Sequence, residues 1–238
     1  MMTEQIVREG LARMGLAGRV PADAPERLAL YGRLLLEKNE VMNLTAIRDE
    51  AGVARLHMLD CAALLDAADL HGKTLIDVGS GAGFPGLVLK ILCPDLSVTL
   101  LDSTGKRTDW LSEVSAALDA PVRVTCARAE EAARLGRFRE SFDLAAARAV
   151  AELRLLVELC LPFVRVGGAF LAMKSADCDG ELDDARHAVG QLGGKVERRL
   201  DYAVPDTDAR HRVVVIRKSA PTPEGFPRSW ARIKSKPL

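Results

Sequence analysis

The chain has 238 residues, 48% of them hydrophobic and only 4% aromatic, enough for one full α/β domain with an appendage and too few for two large ones. Lys plus Arg equals Asp plus Glu at 33 each, which excludes a uniformly basic nucleic-acid coat or an acidic disordered chain. Cys61, Cys93, Cys126, Cys160 and Cys178 are odd in number and form no C-x-x-C, so reduced thiols in a cytoplasmic setting are expected rather than a disulfide framework.

The start, MMTEQIVREG, lacks a long apolar core, and charges interrupt every later apolar run, so neither an export signal nor a membrane segment is expected. Apolar residues at helical intervals predict a short helix over 3–16 and a stronger one over 26–39, where Leu28, Tyr31, Leu34 and Leu35 share a face. Between them, 21–25 reads as a linker. A helical pair passing through His57 is expected before residue 65, which makes 1–70 a helical extension ahead of a domain spanning 71–238 in one compact unit. His57 and Cys61 lie one helical turn apart, but no third and fourth ligand follows at metal spacing, so no metal is expected.

The central stretch is TLIDVGSGAGFPG, 74–86, followed by LVLKIL. A short apolar run stops at a glycine cluster, and an apolar run with helical spacing begins after Pro85, giving strand, tight turn and helix. Such a corner opens a Rossmann-like sheet and lets the backbone approach a ligand closely. The segment 81–86 also satisfies G-x-G-x-x-G, so a dinucleotide is a rival ligand. Asp77 argues against it: a carboxylate at the strand end suits a cation and repels a pyrophosphate. Gly79, Gly81 and Asp77 are therefore candidates for holding a positively charged ligand such as S-adenosylmethionine.

Beyond residue 86 strand and helix alternate. Strands are predicted at 97–101, 122–125, 142–146 and 169–173, with helices near 104–118, 130–135, 153–160 and 182–192, and two consecutive β-rich segments at 195–202 and 211–217 close the chain. Five βα repeats and a final hairpin predict an α/β sheet of seven strands, parallel until its last, antiparallel pair. Asp102 ends the second strand about twenty residues past the glycine turn, where an acid grips ribose hydroxyls, or else caps the next helix. Arg148 follows the fourth strand, placed either for an anionic group or for a salt bridge with Asp143 or Glu152. Lys174 ends the fifth strand similarly, and Lys106 and Arg107 open a helix on the same rim. No Ser-His-Asp or paired-carboxylate spacing is present.

Residues 210–238 hold eight Lys or Arg and one acid, a net +7 against −7 for the rest. A basic tail on an acidic body is read either as a polyanion contact or as a solubilising tail.

KNEVMNLTAIRD, HMLDCAALL, LIDVGSGAGFPGLVLKI, LLDSTGKRTDWL, CARAEE, FDLAAARAVAEL and VVVIRKSAPTPEGFPR…IKSKPL together resemble the bacterial RsmG family, also called glucose-inhibited division protein B, over 34–238. The resemblance implies a class I S-adenosylmethionine-dependent methyltransferase fold and N7-methylation of a guanine in the decoding-region loop of 16S rRNA in the small ribosomal subunit, by a monomer in the cytoplasm. Gly79, Phe84, Ala129, Glu130 and Arg148 match the family's donor contacts. Asp102, Ser103 and Thr104 match the segment facing the ribose, with adenine expected between Phe84 and the residues after the third strand. Asn43, Arg48, His57, Lys106, Arg107, Lys174, Arg228 and Lys234 become candidate RNA contacts. Trp110 stands where a smaller apolar residue or Phe is expected and is read as a packing variant. No general base is implied, since guanine N7 carries a lone pair and no proton.

Overall fold

A computed structural model describes residues 2–238. Its strands are β1 (Thr74–Val78), β2 (Ser97–Asp102), β3 (Arg123–Cys126), β4 (Phe142–Arg148), β5 (Val164–Ser175), β6 (Gly194–Ala203) and β7 (Arg210–Lys218). They form one sheet in the order β3-β2-β1-β4-β5-β7-β6. β1 to β5 run parallel and β7 pairs antiparallel with both β5 and β6, the α/β arrangement with a terminal hairpin that the alternation predicted.

Before the sheet come α1 (Met2–Arg13), α2 (Ala24–Met42), α3 (Glu50–Val53), a π-helical turn (Ala54–Leu59), α4 (Asp60–Ala62) and α5 (Leu64–Ala67). Pro25 sits in the first turn of α2, where its missing N–H leaves no bond unmade. Leu28, Tyr31 and Leu35 are buried along its inner face, and the helix ends at Asn43 in the left-handed region, φ 50°. The expected helical pair around His57 is one interrupted rod instead. Asp49 starts it by accepting the Gly52 N–H at 2.8 Å, and the π turn rotates His57 out of α-helical phase with its neighbours.

After β1 follow α6 (Gly86–Leu92), α7 (Gly105–Ala117), α8 (Ala129–Ala132), α9 (Leu153–Cys160), α10 (Asp179–Gln191) and α11 (Trp230–Ser235). The period-two alternation of a strand splits the core. Leu75 joins the apolar mass formed with α1, α2 and α6, while Ile76 and Val78 face α9, α10 and α11 on the other side. The N-terminal helices thus share a core with one face of the sheet.

β5 starts at Val164, ahead of the strand expected at 169–173, and Gly167 and Gly168 lie inside it, at a register irregularity opposite Phe142 and Leu144 with Gly167 at φ +88°. The basic tail is not a free extension: it returns to the domain as α11, with Ile233 fully buried. The edge strand β6 carries Lys195, Glu197, Arg198, Arg199 and Asp201 and a bulge near Val196, devices that discourage edge-to-edge pairing.

Candidate active site

A cavity of about 520 Å³ opens at the carboxyl ends of the parallel strands, within the ~300–1,000 Å³ of small-molecule sites. Its floor is the turn after β1. Leu101 O accepts the N–H groups of Gly79 (2.8 Å) and Ser80 (3.1 Å), and Ser80 Oγ accepts the Leu101 N–H (3.1 Å), fastening the turn to β2. Gly79 has φ +76° and a Cβ there would meet the Val150 side chain at 2.8 Å. Gly81 has φ +57° and a Cβ there would meet nothing nearer than Gly79 O at 3.9 Å, so its missing side chain is space that a ligand can fill.

Asp102 is 5% exposed at the end of β2 and fastens two backbone segments there. Its Oδ2 accepts the Gly81 N–H (3.0 Å) and its Oδ1 the Thr104 N–H (2.9 Å). Each carboxylate oxygen keeps a lone pair for a hydroxyl on the cavity side. Ser103, Ala129 and Glu130 line the same cavity, as do Gly79, Gly81, Phe84, Arg107, His57 and Arg148. Thr104, the residue before α7, does not.

Asp77 is not on the cavity wall. It is fully buried beneath the turn, where Oδ2 accepts the Gly86 N–H at 2.8 Å and Oδ1 has no partner. Burial above all pushes its carboxyl up to about 7, and the Gly86 amide, the nearby Ser80 hydroxyl and the Arg148 charge offset only part of that. The carboxylate also occupies the start of α6, the position at which a Rossmann pyrophosphate takes backbone N–H groups. The rival dinucleotide reading therefore loses its anion site.

Arg148 makes an internal ion pair, with Asp60 rather than Asp143 or Glu152. Its Nη1 donates to Asp60 Oδ2 and to Leu56 O, both at 3.0 Å, and its Nη2 to His57 Nδ1 at 2.9 Å. Asp60 is itself 2% exposed and also accepts from Tyr202 Oη (2.7 Å) and His211 Nδ1 (2.6 Å), so one carboxylate ties the helical extension to β4, β6 and β7. These donors outweigh desolvation and hold the Asp60 carboxyl below its ordinary range. His57 Nδ1 lies between Arg148 Nη2, which can only donate, and Leu56 O at 3.1 Å, which can only accept; the shorter guanidinium contact favours the ring proton on Nε2, 2.7 Å from Thr45 Oγ1. Burial and the Arg148 charge push the imidazole down to about 4, so it is neutral at pH 7.

Phe84 stacks on His57 (centroids 4.5 Å) and Tyr31 (5.2 Å), with the Arg148 guanidinium 5.0 Å from its ring centre. At 5% exposure it has too little free surface to be the stacking face expected for adenine. Tyr31 Oη donates to Ala82 O at 2.6 Å, and Trp110 Nε1 approaches the same carbonyl at 3.4 Å. Trp110 thus packs under the turn and adds a polar tie.

The candidate RNA contacts separate by placement. Asn43 and Arg48 are exposed and adjoin each other at 3.3 Å; Lys106, Arg107 and Lys234 are exposed as well. Lys174 does not face solvent: it pairs with Glu181 at 2.6 Å and donates to Ala151 O, bracing the loop after β4. Arg228 is likewise committed, bound by both arms to the buried carboxylate of Glu158. Both stand behind the exposed candidates as RNA contacts, because an acid already neutralises each: Glu181, in the same stretch of chain, for Lys174 and Glu158, distant in sequence, for Arg228.

Several wall and support residues carried no local signal. Asn39 is buried in the last turn of α2 and binds both the N–H and the C=O of Thr45 at 2.9 Å, folding that loop onto the cavity. Arg128 and Trp230 also line the wall; nothing in their spacing announced it. Among the described residues, His57 and Cys61 belong to no group of three metal-type ligands. His71, Cys93 and Asp95 do cluster, within 4.8 Å at the opposite end of the sheet, closed on one another by the Cys93 and His71 bonds to Asp95 (3.1 and 3.2 Å). Among the described residues no helix is long and apolar enough to cross a membrane.

The wall fits S-adenosylmethionine: an open glycine cradle, an acid at the end of β2, and apolar and backbone groups after β3, with the buried Asp77 beneath it taking the first amide of α6. Solved structures with this fold include TrmN from Thermus thermophilus (TM-score 0.52, 22% identity, 67% of this chain and 48% of that one). M. jannaschii TYW2, solved in complex with AdoMet, aligns at TM-score 0.51 and 12% identity, covering 66% of this chain and 72% of that one. Proteins named ribosomal RNA small subunit methyltransferase G are far more similar. That of Clostridium perfringens (strain 13 / Type A) is 42% identical over 91% of both chains, and that of Alkaliphilus metalliredigens 40% over the whole of both. The GidB family model, described as rRNA small subunit methyltransferase G, matches residues 24–204. With a matching family model over most of its length and relatives aligned end to end, the chain belongs to the GidB family.

Proposed function

We propose that this protein transfers a methyl group from S-adenosylmethionine to N7 of a guanine in the decoding-region loop of 16S rRNA. The observation that carries the reading is the cleft itself: Asp77 closes the phosphate position at α6 while Asp102 stands ready for a ribose, in a chain whose relatives are named for small-subunit rRNA methylation. The donor supplies an electrophilic methyl group on sulfur. The residues of the cleft supply position: the Gly79–Gly81 backbone admits the donor closely and Asp102 orients its sugar.

The reading asks no general base of the wall, whose titratable groups include Asp102, Glu130 and His57. His57 is neutral but has both ring nitrogens engaged, and both oxygens of Asp102 already accept amide bonds. That agrees with an acceptor that has a lone pair and no proton to lose, for which alignment and exclusion of water suffice. A guanine stacked in RNA must swing out to reach a cavity this recessed, and exposed Arg107 on its wall, with exposed Lys106 next to it in the chain, suits backbone phosphates.

Incubation with methyl-labelled donor and small-subunit rRNA should label one nucleotide, and strand scission specific for 7-methylguanine should map it to the decoding-region loop. Gly79→Asp, which puts a charged side chain into the cradle, should abolish labelling. Label on a different base atom, or none on rRNA in free or subunit form, would overturn the proposal.

A further inference from the structure

Residues 222–238 are clamped along their course. Arg139 donates to Phe226 O (2.7 Å) and Thr222 O (2.8 Å), and Arg134 to Pro227 O (2.6 Å). Arg228 then closes on Glu158, which is 1% exposed, with bonds of 2.8 and 2.6 Å, and reaches forward to Lys236 O at 2.9 Å. Two residues past this clamp α11 begins with Trp230, and Ile233 is buried beneath it. The outcome is that a half-buried indole lines the main cavity in company with Ala129, Glu130 and Leu159.

Position within the cavity points to what the indole meets. Neighbouring strands lie about 4.8 Å apart. A ligand held at the glycine turn after β1, with its sugar at Asp102 on β2, therefore brings its base beside the residues that follow β3. Those are Ala127 to Glu130, which pack with Leu159 and Trp230 on one side of the sheet. Of the other aromatic rings on the wall, Phe84 is stacked between Tyr31 and His57, and His57 is held by Thr45 and Arg148. Trp230 is the large aromatic surface left for a purine.

We infer that Trp230, delivered by the C-terminal segment, forms the stacking wall for the adenine of the methyl donor, so that this segment is part of the donor site. The inference rests on the donor site proposed above. Base–aromatic stacking of ordinary strength implies that Trp230→Ala weakens S-adenosylhomocysteine binding by about tenfold or more, whereas Trp230→Phe, which keeps an aromatic face, stays within about threefold. Calorimetric titration of the full chain measures both, with thermal melting to verify folding.

A second readout is optical. The chain has two tryptophans, and S-adenosylhomocysteine or adenosine should quench the emission component that Trp230→Phe removes, whereas homocysteine should not. An unchanged dissociation constant in folded Trp230→Ala overturns the inference. So does normal S-adenosylhomocysteine affinity together with a raised KM for rRNA, which would assign the ring to the target base. Gly79→Asp separates the two levels: if it too binds S-adenosylhomocysteine normally, the donor site itself is wrongly placed.

Discussion

At the scale of single residues, the cleft is organised by carboxylates that face backbone as much as ligand. Asp77 holds the start of α6 and Asp102 holds the turn after Gly79, each by accepting an amide N–H that a glycine-rich bend leaves unpaired within the sheet. The two differ in cost. Asp102 has a partner on each oxygen, whereas Asp77 is buried with one oxygen bare and its carboxyl at about 7. A carboxyl raised in the folded state binds its proton more tightly there than in the unfolded chain. Its contribution to stability is therefore greatest below about pH 4 and is lost as pH rises through about 7, above which both states are ionised. Asp77→Asn should remove this falling component. Denaturant midpoints measured from pH 4 to 8 should decline less steeply in the variant than in the parent; parallel profiles would show that Asp77 is ionised throughout.

Among elements, the decisive joints are ion pairs between segments far apart in the chain. Arg148 on β4 meets Asp60 on α4, and Arg228 in the C-terminal segment meets Glu158 on α9. Both acids are nearly inaccessible, and removing Arg228 leaves Glu158 an uncompensated buried charge, a loss of about 3–5 kcal/mol in comparable sites, whereas Asp60 without Arg148 keeps Tyr202 and His211 as donors. For Arg228→Ala the loss falls on one element. Limited proteolysis should cut within 222–238 in the variant long before the sheet unfolds, while the parent resists until global unfolding. Equal protection in both would mean that Arg134, Arg139 and Ile233 suffice to hold the segment.

Over the whole molecule the balanced composition hides a division of labour. Of the eight basic residues in 210–238, Arg212, Arg217, Lys218 and Arg228 are spent on internal acids, while Arg210, Arg232, Lys234 and Lys236 make no ion pair among the described residues. Long-range attraction for RNA thus falls to fewer charges than composition suggests. Each phosphate contact contributes nearly one unit to the slope of log affinity against log salt, so the double variant Lys106→Ala/Lys234→Ala should flatten that slope by about 1–2. An unaltered slope would place RNA on another face. The sequence alone was sufficient for the parallel sheet, its closing hairpin and the glycine turn with Asp102 beyond it, because strand periodicity, turn chemistry and βα alternation are properties of neighbouring residues. Asp60 as the partner of Arg148, the retreat of Asp77 below the turn, the enclosure of Phe84 and the arrival of Trp230 at the cavity were decided by tertiary structure. Each depends on which distant side chain fills the space opposite, and burial energies are set by that packing rather than by local order in the chain.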